Sequence, residues 1–215
     1  MMPSLLPKTL FIFGFLTCVS LAGQAQNPNR TGAGHYVKKG ELDPARLAAL
    51  PIDADGAIYY EGVVKVDSTI SRQEIHQAVR EWFVSNYVSG KDVLQVDDKE
   101  AGKILGKGIH RYQFINGINI SEVALTFVLS VEAKDGKFRY KMYNFTGGNR
   151  NTSMLGGANA TSTYAVNYNQ CLADYKAGKR TGYNGKIVAG MDYETQRIIE
   201  GLEASVKKGK QKSDW

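Results

Sequence analysis

The sequence predicts an α+β fold in which an antiparallel sheet of about five strands carries two helices on one face. Several segments alternate apolar and polar residues with the period of two that half-buried strands show. Two other segments repeat apolar residues every three or four positions, as amphipathic helices do. Tight-turn sequences such as Asp135-Gly136 make successive strands antiparallel, so the helices collect on one side. The predicted order is β-α-β-β-β-β, a long insertion, and α.

The first 25 residues have the pattern of a signal peptide. Lys8 gives a positive start, and the apolar run over residues 10–21 is too short to span a bilayer. Gly23 and Ala25 supply the small residues that a signal peptidase requires at positions minus three and minus one. We therefore expect cleavage after Ala25, export to the periplasm or cell surface, and a mature chain without a transmembrane segment.

Cleavage would also change the charge and the cysteine content. It removes one lysine and no acid, so the net charge falls from +6 to +5, and Cys171 becomes the only cysteine. An intramolecular disulfide is then excluded, and the mature chain of about 190 residues must be held by packing. A lipoprotein modified at Cys18 is the alternative, although Thr17 is not the small residue expected before a lipidated cysteine.

The first half of the mature chain predicts a linker, a strand and a helix. Residues 26–50 are polar and are interpreted as a linker with one short helix over 42–50, and the domain is predicted over 51–209. Residues 57–66 alternate as a strand with one buried side. A capping box from Ser71 to Glu74 then begins a helix that ends before Gly90. Its apolar stripe consists of Ile75, Ala78, Val79, Trp82, Phe83 and Tyr87.

The second half predicts the remaining strands, an insertion and the last helix. The strands share the alternating pattern and lie over residues 93–97, 109–115, 123–131 and 138–145, with a glycine-rich turn after the first of them. Residues 146–188 are rich in Gly, Asn, Ser, Thr and Tyr and predict an insertion with one short helix around 168–175. Asp192 is predicted to cap the last helix, and residues 210–215 form a basic tail.

These residues resemble a known family. The resemblance lies in the first strand, the Trp82-Phe83 helix and the segment from Val93 to Gly108, where Asp97-Asp98-Lys99-Glu100 leads into glycines and lysines. Residues 50–146 resemble the bacterial domain of unknown function 4468 with TBP-like fold, which the C-terminal helix is expected to complete. The resemblance implies a TBP-like fold in an exported protein of a Gram-negative bacterium. It implies no activity, so it assigns no catalytic residue.

The glycine-rich segment from Gly102 to Gly108 differs from nucleotide-binding loops. A phosphate loop needs four residues between its glycines and a Ser or Thr after the lysine, and this segment has neither, so no nucleotide cofactor is predicted. Backbone amides together with basic side chains could still bind an anion. That candidate anion site consists of Lys103, Gly106, Lys107, Gly108 and Arg111. The alternative is a tight turn that glycines permit and lysines keep soluble.

Signatures of metal sites and of catalysis are missing. Asp97, Asp98 and Glu100 lack the spacing of a calcium loop, and the three histidines form no zinc pattern, so no metal is predicted. No Gly-x-Ser-x-Gly sequence occurs. An enzyme remains the alternative, and it would have to bring Asp97, Asp98, His110 and Lys107 together in one pocket. Nucleic acid is not expected as a partner, because a topology confers no function and an exported protein meets no genome.

Tyrosines provide the remaining functional signal. Tyr59, Tyr112 and Tyr143 are candidates for a ligand groove, since tyrosine combines an apolar ring with a polar hydroxyl group. The alternative is that they pack within the sheet. We interpret the protein as an exported, non-catalytic binding module for an envelope protein, a glycan or a lipid-like ligand. The open sheet face and the tyrosine-rich insertion would form its binding surface.

Overall fold

The computed structural model describes residues 35–37, 42–87, 93–155 and 161–208, so the predicted signal peptide and basic tail lie outside the described residues. The strands are β1 (His35–Tyr36), β2 (Tyr60–Lys65), β3 (Leu94–Asp98), β4 (Lys103–Asn116), β5 (Asn119–Lys134), β6 (Lys137–Ser153) and β7 (Thr161–Asn167). The helices are α1 (Pro44–Ala48), α2 (Arg72–Asn86), α3 (Tyr168–Lys176) and α4 (Thr181–Lys208).

One sheet contains all seven described strands. Its main order is β1-β4-β5-β6-β2, while β3 pairs with β4 and β7 pairs with β6. Strands β2 to β7 pair antiparallel, and the two-residue β1 runs parallel to β4. The predicted α+β class with an antiparallel sheet is therefore confirmed. The strand count exceeds the predicted five because β1 lies in the predicted linker and β7 in the predicted insertion.

Two tight hairpins fix the register of the central strands. Lys134 pairs with Lys137 across the Asp135-Gly136 turn, and Gly136 has a φ of 69°, as that turn was predicted to require. Asn116 pairs with Asn119 across a second two-residue loop. Near the middle of β6, Asn144 has a φ of 61° where the pairing with β5 shifts by one residue. This bulge keeps the inward faces of both halves of β6 in phase with the core.

The prediction of a glycine turn between residues 102 and 108 is wrong. The chain turns over residues 99–102, where Gly102 has a φ of 67°, and β4 then runs through Gly106 and Gly108. These two glycines make room for aromatic rings that lie over the strand. A Cβ atom on Gly106 would sit 2.5 Å from Phe83, and one on Gly108 would sit 2.4 Å from Phe127. Close packing, and not turn geometry, therefore explains glycine at these positions.

Helices α2 and α4 cover one face of the sheet, as predicted. The predicted capping box begins α2, because the Ser71 backbone amide donates to Glu74 Oε2 over 2.8 Å and Ser71 Oγ accepts from the Glu74 amide. Under the helices, alternate residues of β5 from Val123 to Val131 are almost completely buried. Helix α4 is 28 residues long and begins at Thr181, so the predicted cap at Asp192 is wrong. Asp192 lies in the middle of the helix and is buried.

The described parts of the predicted linker and insertion pack with the sheet and the helices. Leu47 of α1 and the following Leu50 are 1% and 6% exposed, so this end of the linker packs on the core. In the predicted insertion, β6 continues to Ser153 and β7 pairs with it over seven residues. Helix α3, over Tyr168–Lys176, confirms the short helix predicted around 168–175.

Candidate functional site

The face of the sheet opposite α2 and α4, here called the open face, carries an excess of positive charge. On each strand the residues that alternate with the buried ones point to this face. On β2 to β6, nine basic residues and four acidic residues lie there, a net charge of +5 over the described strands. The basic residues are Lys65, Lys103, Lys107, Arg111, Lys134, Lys137, Arg139, Lys141 and Arg150, and the acids are Glu61, Asp98, Glu122 and Glu132.

Two acids of the open face, Glu61 and Glu122, each contact two cations. Glu122 accepts from Arg111 over 3.1 Å and from Arg150 over 2.7 Å. Glu61 lies 3.6 Å from Arg139 and 3.5 Å from Lys141. Because one carboxylate shared by two cations cannot neutralise both, the ion pairs organise the cationic side chains without removing their excess charge.

The candidate anion site is present only as a row of side chains. Lys103, Lys107 and Arg111 follow one another at every fourth position of β4, on the open face. At about 3.3 Å per residue, neighbours in this row start about 13 Å apart along the strand. Gly106 and Gly108 pair with β5 inside the sheet, so they form no nest of free backbone amides. The prediction that Gly106 and Gly108 belong to the anion site is therefore wrong. Anion binding by Lys103, Lys107 and Arg111 stays a prediction.

A shallow depression of about 560 Å³ lies on the open face. Its lining consists of Arg111, Glu122, Ala124, Gly148, Asn149, Arg150 and Thr163. Strand register explains its floor, because Ala124, Gly148 and Ala165 are direct neighbours across β5, β6 and β7. These small side chains leave a trough that runs across the strands.

Polar side chains border the trough on both sides. Cross-strand partners that point to the open face form rows across β5, β6 and β7. The row on the side of the β4–β5 turn consists of Glu122, Arg150 and Thr163. The row on the other side consists of Thr126, Thr146 and Asn167. Arg111 lies beside Ala124 at the β4 end. Same-face rows are about 6.7 Å apart, so the two polar rows stand about 13 Å apart across the small residues. The trough thus offers guanidinium, hydroxyl and amide groups around a flat floor.

The four residues of the enzyme alternative do not converge. His110 lies under the helices, 6% exposed, and its Nδ1 atom is 3.0 Å from Glu194 Oε2. Lys107 points to the opposite face. Asp97 accepts from Arg80, while Asp98 accepts from the backbone amide of residue 101. Within the described ranges, no group of three His, Cys, Asp or Glu residues could hold a metal ion.

Two buried polar clusters that the sequence did not reveal attach α4 to the rest of the domain. Asp192 accepts a hydrogen bond from the Tyr60 hydroxyl over 2.8 Å and is also bound by the Arg46 guanidinium. Glu194 contacts His110 and accepts from Arg197 over 3.1 Å. A signal was available, because two acids lie in the largely apolar buried stripe of the helix. The two carboxylates are buried between helix and sheet, while Arg46 and Arg197 reach them from the surface, which indicates a packing role for the acids.

The three tyrosines proposed for a ligand groove do not share one. Tyr112 is fully buried under α4, and its hydroxyl donates to the Ile187 carbonyl over 2.7 Å. Tyr59 and Tyr143 are half-buried, and Lys141 lies 6.0 Å from the Tyr59 ring. The inclusion of Tyr112 is therefore wrong, because alternation along β4 turns it away from the open face.

Cys171 is half-buried, and burial raises the pKa of its thiol, which disfavours the reactive thiolate.

Comparisons with known proteins agree with this architecture. Residues 60–147 match the family described as Domain of unknown function (DUF4468) with TBP-like fold. Two similar crystal structures are a TBP-like protein from Parabacteroides distasonis ATCC 8503 and a DUF4468 family protein from Bacteroides ovatus ATCC 8483. The first is 11% identical, with a TM-score of 0.54 over 74% of this chain and 97% of that chain. The second is 15% identical, with a TM-score of 0.50 over 74% and 95%.

At these identities the two structures establish the fold alone. No curated protein matches the sequence. Of the helices that the structure describes, none has the length and apolar character needed to cross a membrane. The sheet, the two covering helices and the family match agree with one another: residues 60–147 of this chain are similar to the DUF4468 domain with TBP-like fold.

Proposed function

We propose that the protein is an exported, non-catalytic binding protein of the bacterial envelope that binds an acidic glycan on its open face. The observation that carries this proposal is the charge of that face, where nine basic residues face four acids. A sheet face needs no such excess for folding, and like charges on neighbouring strands disfavour it. The excess is suited to a ligand that supplies negative charge.

The trough favours a glycan over a compact anion. Its floor of Ala124, Gly148 and Ala165 is flat and long enough to accept sugar rings lying across the strands. Hydroxyl and amide side chains on both borders can exchange hydrogen bonds with sugar hydroxyl groups. Arg111 and Arg150 can each contact a carboxylate with two parallel hydrogen bonds.

The ion pairs of the open face do not prevent ligand binding. Arg111 and Arg150 are 49% and 57% exposed, and pairs between exposed charges stabilise a protein by only about 0–1 kcal/mol. Carboxylates of a ligand can therefore share these cations with Glu122 at little cost. The signal-peptide pattern supports an envelope location, where acidic glycans occur on the outside of cells. No contact among the described residues favours the enzyme alternative.

The test is binding of the chain from residue 26 onward, which contains every described residue, to polygalacturonate as an acidic probe and to dextran as a neutral one. Calorimetry should detect binding to the acidic probe only, and the affinity should fall as NaCl is raised because salt screens exposed charges. The variant Lys107→Ala/Arg111→Ala removes two cations of the open face. We expect its affinity to fall about tenfold.

A matched control removes the same charge elsewhere. Arg80→Ala/Lys207→Ala also deletes one arginine and one lysine, but from the helices, and Arg80 is 47% exposed beside a single carboxylate, much as Arg111 is. This control should bind polygalacturonate like the unaltered protein. An equal loss of affinity for polygalacturonate in both double variants would show that binding depends on net charge alone and not on the open face. Absence of binding to polygalacturonate would refute the proposed ligand class.

A further inference from the structure

The turn between β4 and β5 ends in a cluster of exposed aliphatic side chains, here called the hairpin tip. The cluster comprises Ile115, Ile118, Ile120, Met154 and Leu155, which are 44%, 53%, 37%, 50% and 77% exposed. Single exposed apolar residues are normal, but a contiguous group at one end of a domain marks an interaction surface. In the described part of the chain, five of the twelve large hydrophobic residues that are exposed belong to this tip.

Local structure places these five side chains together. Ile115 and Ile120 are direct cross-strand partners on the open face. The loop between their strands consists of Gly117, with a φ of 61°, and Ile118, at a position where polar residues are usual. The Met154 amide donates to the Ile118 carbonyl over 2.8 Å, which holds the end of β6 and the following Leu155 against the loop. The hairpin tip is therefore a contiguous, exposed apolar surface.

Basic side chains lie immediately behind the hairpin tip. Lys186 Nζ donates to the Ile115 carbonyl over 2.7 Å, so an ammonium group stands at the base of the loop. Arg150 is one same-face row, about 6.7 Å, from the row that contains Ile120. The nearest open-face acid, Glu122, is shared between Arg111 and Arg150. The surroundings of the apolar side chains are thus net positive.

We propose that the hairpin tip inserts into the surface of an anionic lipid bilayer. The five aliphatic side chains would enter the boundary between headgroups and acyl chains, while Lys186 and Arg150 would lie at the depth of the phosphate groups. Such peripheral insertion requires an exposed apolar surface with cations beside it, and it requires no complementary partner surface.

A second copy of the chain fits this surface poorly. Stable protein interfaces bury about 800 Å² on each partner, and five side chains on a hairpin end offer only a few hundred. Two tips in contact would also bring their lysine and arginine groups together. The bilayer satisfies both the apolar residues and the cations, and its contact surface differs from the trough proposed for the glycan.

The experiment measures co-sedimentation of the chain from residue 26 onward with vesicles of phosphatidylethanolamine and phosphatidylglycerol, and with vesicles of phosphatidylcholine alone. The variant Ile118→Ser/Leu155→Ser removes the two most exposed side chains of the hairpin tip. We expect its partitioning onto anionic vesicles to fall about tenfold or more. The control Ile52→Ser/Val84→Ser removes two aliphatic side chains that are 49% and 50% exposed elsewhere, and it should partition normally.

A second measurement does not depend on the fold of the double variant. The chain already contains Trp82 and Trp215, so the emission of the unaltered protein is subtracted from that of Ile118→Trp. The difference should shift to shorter wavelength on anionic vesicles and should be quenched by brominated acyl chains. Unshifted emission, equal partitioning of the tip and control variants, or no association with anionic vesicles would each overturn the proposal. So would lipid-free self-association that only the tip variant loses. Polygalacturonate binding by Ile118→Ser/Leu155→Ser is measured as well. If the variant still binds polygalacturonate, a loss of vesicle binding concerns the hairpin tip alone and not the proposed glycan site.

Discussion

Replacing glycine by alanine at two positions of α4 should change stability in opposite directions. Gly190 lies against the buried ring of Tyr112, and a Cβ atom there would sit 2.3 Å from Cε2 and 2.4 Å from Cδ2 of that ring. Gly201 lies eleven residues further along the helix, where a Cβ atom would meet only Trp82 Nε1, at 3.4 Å. The same substitution is therefore blocked at one site and accommodated at the other.

The expected magnitudes follow from these distances. In a helix interior, alanine is favoured over glycine by about 0.5–1 kcal/mol. At Gly190 the ring cannot move away easily, because it is fully buried and its hydroxyl donates to the Ile187 carbonyl over 2.7 Å. Overpacking of this kind costs about 1–3 kcal/mol. Gly190→Ala should therefore lower the free energy of unfolding by about 1–2 kcal/mol, and Gly201→Ala should raise it by about 0.5 kcal/mol.

Urea unfolding at 25 °C, followed by circular dichroism, measures both changes. The dependence of the free energy on urea concentration should be the same in all three proteins, so the midpoints can be compared directly. A stabilising effect of Gly190→Ala, or equal effects of the two substitutions, would refute the close contact between α4 and β4.

Three further predictions concern the buried carboxylate, the buried tyrosines and the N-terminus. Asp192→Ala leaves the buried Tyr60 hydroxyl without its acceptor and should lower the free energy of unfolding by about 2–4 kcal/mol in urea titrations, and a loss below 0.5 kcal/mol would contradict the packing role. Burial raises the pKa of Tyr60, Tyr112 and Tyr168 above the value of about 10 in the unfolded chain. Above about pH 10, these hydroxyl groups therefore stay protonated in the native state but lose their protons in the unfolded state. The free energy of unfolding should be unaffected by these tyrosines below about pH 10, and above that pH each of them should lower it by about 1.4 kcal/mol per pH unit. A free energy of unfolding that stays constant from about pH 9 to 11 would contradict this. Mass spectrometry of the protein recovered from the envelope should find Gln26 at the N-terminus, and unprocessed protein inside the cell would contradict export.

Elements that depend on local signals could be predicted from the sequence. The capping box at Ser71 fixed the start of α2, because both of its hydrogen bonds lie within four residues. The alternation from residue 123 to 131 identified β5, and Asp135-Gly136 identified its hairpin. In each case the residues that determine the structure are sequence neighbours, so one short segment contains the whole signal.

Elements that depend on distant contacts were predicted wrongly. Asp192 has the residue type of a helix cap, but its carboxylate is bound by Tyr60 and Arg46, which lie 132 and 146 positions away. Gly106 and Gly108 have the residue type of a turn, but rings from α2 and β5 determine their role. Strand β7 has few apolar residues, and its pairing with β6 holds it in the sheet.

The candidate site was only partly predictable for the same reason. Lys103, Lys107 and Arg111 were selected from one segment and do lie in one row. Glu122 and Arg150 were not selected, because the strand containing Arg150 was predicted to end at residue 145 and its register with β5 was unknown. The cationic excess of the open face is a property of the assembled sheet, since it arises only when the strands bring their outward residues side by side.

Lysine acetylation in the presence and absence of polygalacturonate tests the proposed binding face most directly. Mass spectrometry gives the rate of modification at each lysine of the same protein, so no variant is needed. If the open face binds the acidic glycan, Lys107, the lysine of β4 nearest to Arg111, should be acetylated about threefold or more slowly with the ligand, while Lys176 and Lys207 on the helices should be unchanged. Equal protection of Lys107 and of the helix lysines, or protection of the helix lysines alone, would contradict binding at the open face.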